Sequence, residues 1–159
     1  MTTTTIGRGV RYGEQADRAL DLWVKLSRAH ASFSRRSEAH IRSFGLTPPQ
    51  FSVLECLGHK GCLSFGELCK KLMVSGGNMT VVVDNLVKEG LVERIRSGTD
   101  RRRIHVALTA AGKRLIGRIF PRHAEAIAAA AEVLSPTEQE WLAALLKKLG
   151  RSIQDSASG

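Results

Sequence analysis

Acidic residues are in deficit: 15 Asp and Glu face 24 Lys and Arg, leaving a formal charge of +9. An excess of that size points to a polyanionic partner, nucleic acid first and an acidic membrane surface second. The membrane reading weakens because no helical segment sets its Lys and Arg on one face opposite bulky apolar residues. No run approaches the ~18 consecutive apolar residues of a membrane span. The Thr-rich residues 1–10 hold no apolar core, so no secretory signal is expected. Cysteine is scarce: Cys56, Cys62 and Cys69 form no Cys-x-x-Cys pair, and an odd number closes no disulfide framework. They read as small buried apolar residues of a reduced, cytoplasmic protein, with a thiol sensor as the alternative. Phosphate loops and nucleophile–base arrangements are missing, which argues against an enzyme or a bound cofactor. His30, Glu38 and His40, with His59, His105 and His123 scattered, lack the spacing of a metal site.

Glycine is missing between Gly13 and Gly45 and between Gly117 and Gly150, whereas ten glycines fall from Gly45 to Gly117. Glycine marks turns and weakens helices, so long helices are expected at both ends of a centre built from short elements. A length of 159 residues, 43% of them hydrophobic, suits one globular domain with helical extensions. Residues 14–44 carry Ala16, Leu20, Trp23, Ser27 and Ala31 near helical spacing, and Leu22, Val24 and Leu26 widen the apolar surface. A helix apolar over so much of its girth needs cover from its own domain or from a second chain. Thr47 and Pro48 read as the N-cap and first residue of a helix that turns Phe51, Leu54 and Leu57 inward. Ser64-Phe65-Gly66-Glu67 fits a capping box for a helix to Leu72. After a break at Met73-Val74, Ser75 opens a helix that runs to Glu89 and stops at Gly90. Helix, short turn, helix is a helix-turn-helix.

Beyond Gly90 the period shortens. Residues 91–96 and 103–108 read as two strands around the turn residues Ser97, Gly98, Thr99 and Asp100, a β-hairpin. Thr109 caps the next helix, which Pro121 should kink or divide. Ser135-Pro136-Thr137-Glu138 opens a last amphipathic helix through Trp141, Leu142, Leu145, Leu146 and Leu149. The expected order is α-α-α-α-β-β-α-α. The fold class is mainly α with a small β-hairpin wing: a winged helix-turn-helix flanked by long dimerisation helices. The expected divisions are a flexible tail over 1–12, a dimerisation helix over 13–46, the winged domain over 47–109, C-terminal dimerisation helices over 110–151, and a second flexible tail over 152–159.

Charge separates along these zones. Residues 47–92 hold four Lys and four acidic residues, whereas residues 93–108 hold five Arg against Glu93 and Asp100. Arg94, Arg96, Arg101, Arg102 and Arg103 therefore crowd the hairpin, where a guanidinium can enter a narrow minor groove. Asp100 stands among them, suited to fix one guanidinium by a bidentate pair. In the helix from Ser75, Met79, Val82, Val83 and Leu86 form an inward stripe, leaving Gly77, Asn78, Val81, Asp84, Asn85 and Lys88 on the other side. Asn78 can bond adenine bidentately and Val81 can touch a thymine methyl. Ser75 or Thr80 can reach phosphate or base, and Gly76 with Gly77 lets the helix end come close to a backbone. No Arg or Lys lies between Ser75 and Val83, so an A·T-leaning readout is expected, with affinity supplied by the wing.

Leu46-Thr47-Pro48-Pro49-Gln50-Phe51-Ser52-Val53-Leu54, Val74-Ser75-Gly76-Gly77-Asn78-Met79-Thr80, Lys88-Glu89-Gly90-Leu91-Val92-Glu93-Arg94, and Asp100-Arg101-Arg102 followed by Leu108-Thr109 and Gly112 resemble the MarR family of bacterial transcription regulators. The resemblance covers about residues 15–150. It implies a homodimer, two winged lobes on a pseudo-palindromic double-stranded DNA operator, and a repressor released by a small molecule or an oxidant. It assigns Arg101 or Arg102 to the minor groove, Asp100 to wing support, and residues 75–81 to reading. The Ser-Gly-Gly-Asn start and Phe120-Pro121-Arg122-His123 resemble a branch with quinone- and electrophile-responsive members. An aromatic or quinone-type effector would have Trp23, His30, Phe33, His40 and Phe51 as pocket residues; dimer core is their other reading. The competing function is a winged-helix module for protein–protein contact without sequence-specific DNA binding.

Overall fold

A computed structural model describes residues 11–96 and 104–157 of the chain. Its elements run α1 (Glu14–Arg42), α2 (Pro48–Lys60), β1 (Leu63–Ser64), α3 (Phe65–Leu72), α4 (Gly76–Lys88), β2 (Val92–Arg96), β3 (Ile104–Leu108), α5 (Ala110–Ala131) and α6 (Pro136–Ala157). The mainly helical fold with a small sheet is the one expected. Two units divide the chain, residues 1–36 and residues 37–159. In the first, α1 holds Leu20, Leu22, Trp23, Val24 and Phe33 exposed. In the second, a core of Leu54, Leu68, Met79, Val83, Leu86, Val92 and Val106 is closed to solvent, with Ile116 and Ile119 of α5 packed on it.

Side-chain caps start most of these helices. The Thr47 hydroxyl accepts from Gln50 N while Thr47 N donates to Gln50 Oε1 at 2.9 Å, a reciprocal pair at the head of α2. Ser64 and Glu67 do the same for α3, and the Ser64 hydrogen bonds hold the Glu67 carboxyl below its usual range. Ser135 and Glu138 repeat the motif at α6. Thr109 caps α5 by accepting from Gly112 N at 3.1 Å. Ser75 occupies the N-cap of α4 in extended conformation, but its hydroxyl makes no capping bond. Gly45 and Gly90 adopt φ of 77° and 68°, left-handed values that suit glycine beyond a helix end.

Three features depart from expectation. The sheet has a third strand: β1 pairs antiparallel with β3 through Leu63–Val106 and Ser64–His105, giving the order β1-β3-β2. Pro121 does not divide α5, which is one helix from Ala110 to Ala131. Pro121 and Gly117, four residues apart, are both exposed, so water can bond the carbonyl that proline leaves unpaired. Finally, α6 continues to Ala157, past the boundary expected at 151, and exposes Trp141, Leu142, Leu145 and Leu146.

Candidate nucleic-acid interface

The helix α4 packs by one face and presents the other. Met79, Val83 and Leu86 are buried and Val82 is half-buried, while Gly76, Gly77, Asn78, Thr80 and Val81 are exposed. Val81 is 61% exposed, a β-branched side chain outside the core. A Cβ added at Gly76 or Gly77 would meet nothing within 4 Å. Packing therefore does not demand glycine at either position. Thr80 donates its hydroxyl proton to the Gly76 carbonyl at 2.9 Å. Its oxygen remains an acceptor; its donor is spent within the helix.

The strand β2 lies next to α4, and one ion pair joins them. Arg94 Nη1 sits 2.6 Å from Asp84 Oδ1, with both side chains roughly a third exposed or a little more. Among the wing arginines expected to meet DNA, Arg94 thus has a carboxylate partner on α4, whereas Arg96 is exposed at the end of β2. Arg101, Arg102, Arg103 and the supporting Asp100 lie outside the described residues. Nothing in the sequence spacing announces the Asp84–Arg94 pair, because the chain turns back on itself between the two residues.

The wing base is closed by threonine and glycine. Thr109 Oγ1 donates to Gly90 O at 2.7 Å and Thr109 N donates to Leu91 O at 3.1 Å, so the start of α5 is fastened to the entry of β2. Gly112 is buried there, and a Cβ on it would stand 2.0 Å from Leu91 O. The Thr109-x-x-Gly112 pattern is a close-approach motif.

The residues expected to form an effector pocket fall into two groups. His40 and Phe51 come together around His123, which sequence spacing leaves among the scattered histidines. His40 Nδ1 and His123 Nδ1 are 3.3 Å apart with ring planes 19° from parallel. The Phe51 ring centre lies 4.7 Å from His123 and 6.5 Å from Phe120, while Phe44 meets His40 edge-on at 4.8 Å. Burial, then the charge of His40, holds His123 below the usual imidazole range, with Glu55 opposing. Trp23, His30 and Phe33 belong to the unit of residues 1–36, where Trp23 and Phe33 are exposed and His30 Nε2 lies 3.3 Å from Ser34 Oγ. A separate groove of about 520 Å³ runs beside α4, lined by Pro48, Pro49, Val53, Val74, Asn78 and Val82 among others.

Cys56 and Cys69 are half-buried and Cys62 is exposed. Burial pushes the Cys56 thiol up, away from the thiolate form that a reactive cysteine needs. Among the described residues, no three His, Cys, Asp or Glu side chains are placed to hold a metal ion, and no helix is long and apolar enough to cross a membrane.

The MarR family model matches residues 46–104, which take in α2 through β2 and reach the first residue of β3. The HTH-type transcriptional regulator MhqR of Bacillus subtilis is 38% identical over 134 residues, spanning 84% of this chain and 92% of its own. Among solved structures, a mutant MarR from E. coli complexed with operator DNA superposes with a TM-score of 0.76 at 25% identity, covering 86% of this chain and 99% of that one. Bordetella bronchiseptica BpsR, solved for the regulation of its DNA binding by 6-hydroxynicotinic acid, matches with a TM-score of 0.73 at 27% identity, over 82% and 98% of the two chains.

Proposed function

Because the chain belongs to the MarR family of DNA-binding transcriptional regulators, and is not an enzyme, we propose that it is a homodimeric repressor that two copies of α4 seat on a pseudo-palindromic operator. The observation that carries this reading is the bare outer face of α4: Gly76, Gly77, Asn78 and Val81 stand exposed beside a wing strand held to the same helix by Asp84–Arg94. Asn78 and Val81 are the base-reading residues, Ser75 and Thr80 the nearby hydroxyls, and the wing arginines supply phosphate and minor-groove contacts. The second chain covers the exposed apolar faces of α1 and α6, which carry Leu20, Trp23 and Phe33 on one helix and Trp141 and Leu145 on the other. Two-fold symmetry then sets the half-sites ~10 bp apart, or a multiple of that, centre to centre.

We assign an aromatic effector to the neighbourhood of Phe51, His40 and His123, whose rings would stack on it, by analogy with BpsR, whose DNA binding is regulated by 6-hydroxynicotinic acid. Selection of duplexes from a random DNA pool, repeated with phenols, quinones and peroxides, tests operator and effector together. A recovered motif lost on adding one compound class is the expected result. No binding even to random DNA at physiological salt would return the winged-helix protein–protein module.

Two substitutions separate the roles on this face. Asn78→Ala is expected to lose about 1–3 kcal/mol of discrimination at one base pair while binding to random DNA changes little; a uniform loss on all sequences would make it a phosphate contact. Arg96→Gln should flatten the salt dependence of log Kd by about one unit, as one phosphate contact is lost. Arg94→Gln should leave that slope nearly unchanged, because Asp84 already neutralises the guanidinium at 2.6 Å. Equal slopes for the two variants in a salt titration would overturn the distinction.

A further inference from the structure

Gln50 is a buried polar side chain, 8% exposed, with both ends of its amide committed. Its Oε1 accepts from Thr47 N at 2.9 Å, and its Nε2 donates to Glu89 Oε1 at 3.0 Å. Glu89 is the C-cap of α4, its own N–H bonded to Asn85 O at 3.0 Å. One amide therefore joins the first turn of α2 to the last turn of the reading helix. The cap alone would be served equally by glutamate, since a capping box takes either residue. Only glutamine adds the N–H donor that reaches α4.

The next residue, Phe51, packs on His123. Phe51 and Gln50 are consecutive on a helix of 13 residues, so the histidine cluster and the contact to α4 share one short rigid element. We propose that the Gln50–Glu89 hydrogen bond is the positioning contact that couples the His40–His123 pair to α4. This role presupposes that α4 reads DNA. Displacement of α2 at Phe51 is carried to the end of α4, which the core residues Met79, Val83 and Leu86 otherwise hold. Coupling of this kind is established by perturbing both ends of the link.

A proton is the simplest ligand that acts on the histidine end. In the neutral pair one Nδ1–H donates to the other Nδ1; a proton on both leaves two donors facing each other at 3.3 Å. The groups facing His123 are His40 from α1, Glu55 from α2 and the Ser37 hydroxyl, 3.5 Å from its Nε2, while Arg122 beside it on α5 lies over Phe44. Since the folded-state pKa of His123 is depressed, the closed pair is fully favoured above about pH 6.5, the unfolded value, and is lost as pH falls from there through the lower folded value.

The test uses the full chain and a duplex that the wild-type protein selects from a random pool at pH 7.5. Kd is measured at pH 7.5 and 5.5 at one salt concentration for wild type, Glu89→Gln and Glu89→Ala. Both variants lose the same exposed charge, but only glutamine keeps an acceptor for Gln50. Wild type and Glu89→Gln are expected to bind about fivefold or more weakly at the lower pH, and Glu89→Ala to change by less than about twofold. A pH response in Glu89→Ala equal to wild type, loss of the response in Glu89→Gln, or tightening of the wild type would each overturn the coupling alone. Failure to select any duplex would remove the DNA-reading role of α4, and the coupling with it.

Discussion

Gly112→Ala is expected to lower the stability of the protein by about 3 kcal/mol, the upper range for overpacking a tight site, and to reduce Tm by about 6–12 °C. The added Cβ would stand 2.0 Å from Leu91 O, 3.0 Å from Leu91 C and 3.3 Å from a Leu108 methyl. The first two obstacles are backbone and cannot rotate aside. Relief requires the first turn of α5 to lift from the entry of β2. That movement stretches the Thr109 N to Leu91 O and Thr109 Oγ1 to Gly90 O bonds, 3.1 and 2.7 Å long, and unseats Ile116 from the core. The control lies in the same helix. A Cβ at Gly117 meets nothing within 4 Å, so Gly117→Ala should stabilise the protein by about 0.5–1 kcal/mol through helix propensity. Denaturant titration of both variants decides the matter: a Gly112→Ala midpoint equal to wild type would mean that the approach at Leu91 has slack.

Glycine and threonine at the wing base stand out in the sequence as a motif, but their reason is tertiary. What local chemistry governs is legible: Thr47, Ser64, Thr109 and Ser135 all cap the helices expected of them, because a hydroxyl before a helix needs only its own next turn. The inward stripe of α4 follows from period alone. Strand β1 does not, since two residues show no alternation and Ser64 already reads as a cap; its pairing partners lie some forty residues on, at His105 and Val106. The site divides in the same way. Exposure of Ser75, Gly76, Gly77, Asn78, Thr80 and Val81 is predictable from the buried stripe of Met79, Val83 and Leu86 opposite them. The partnership of Arg94 with Asp84, and of His40 with His123 across 83 residues, depends on how α4 meets the hairpin and how α5 returns to the end of α1. Helical spacing groups His40 with Trp23, His30 and Phe33, a rule that cannot see a histidine on another helix.

Replacing Arg101 and Arg102 together by alanine is expected to produce the largest loss of DNA affinity. These positions lie outside the described residues, and the expectation rests on charge and on the family resemblance of Asp100-Arg101-Arg102. The described part of the molecule sharpens it. The outer face of α4 from Gly76 to Val81 carries no cation, and Arg94 is already neutralised by Asp84. On that reading, counterion release is expected chiefly from the remaining arginines, Arg101 and Arg102 among them. Two lost phosphate contacts reduce the slope of log Kd against log salt by about 1.8, and at 0.15 M that alone weakens binding about thirtyfold. The loss should be similar on selected and random duplexes, because backbone and minor-groove contacts carry little sequence information. A salt titration separates this from misfolding: a misfolded protein loses binding at every salt concentration, whereas loss of the two contacts narrows the gap to wild type as salt rises. If the slope of the double variant matches wild type, Arg101 and Arg102 do not touch the DNA, and Arg96 with the lysines of α3 and α4 must carry the charge.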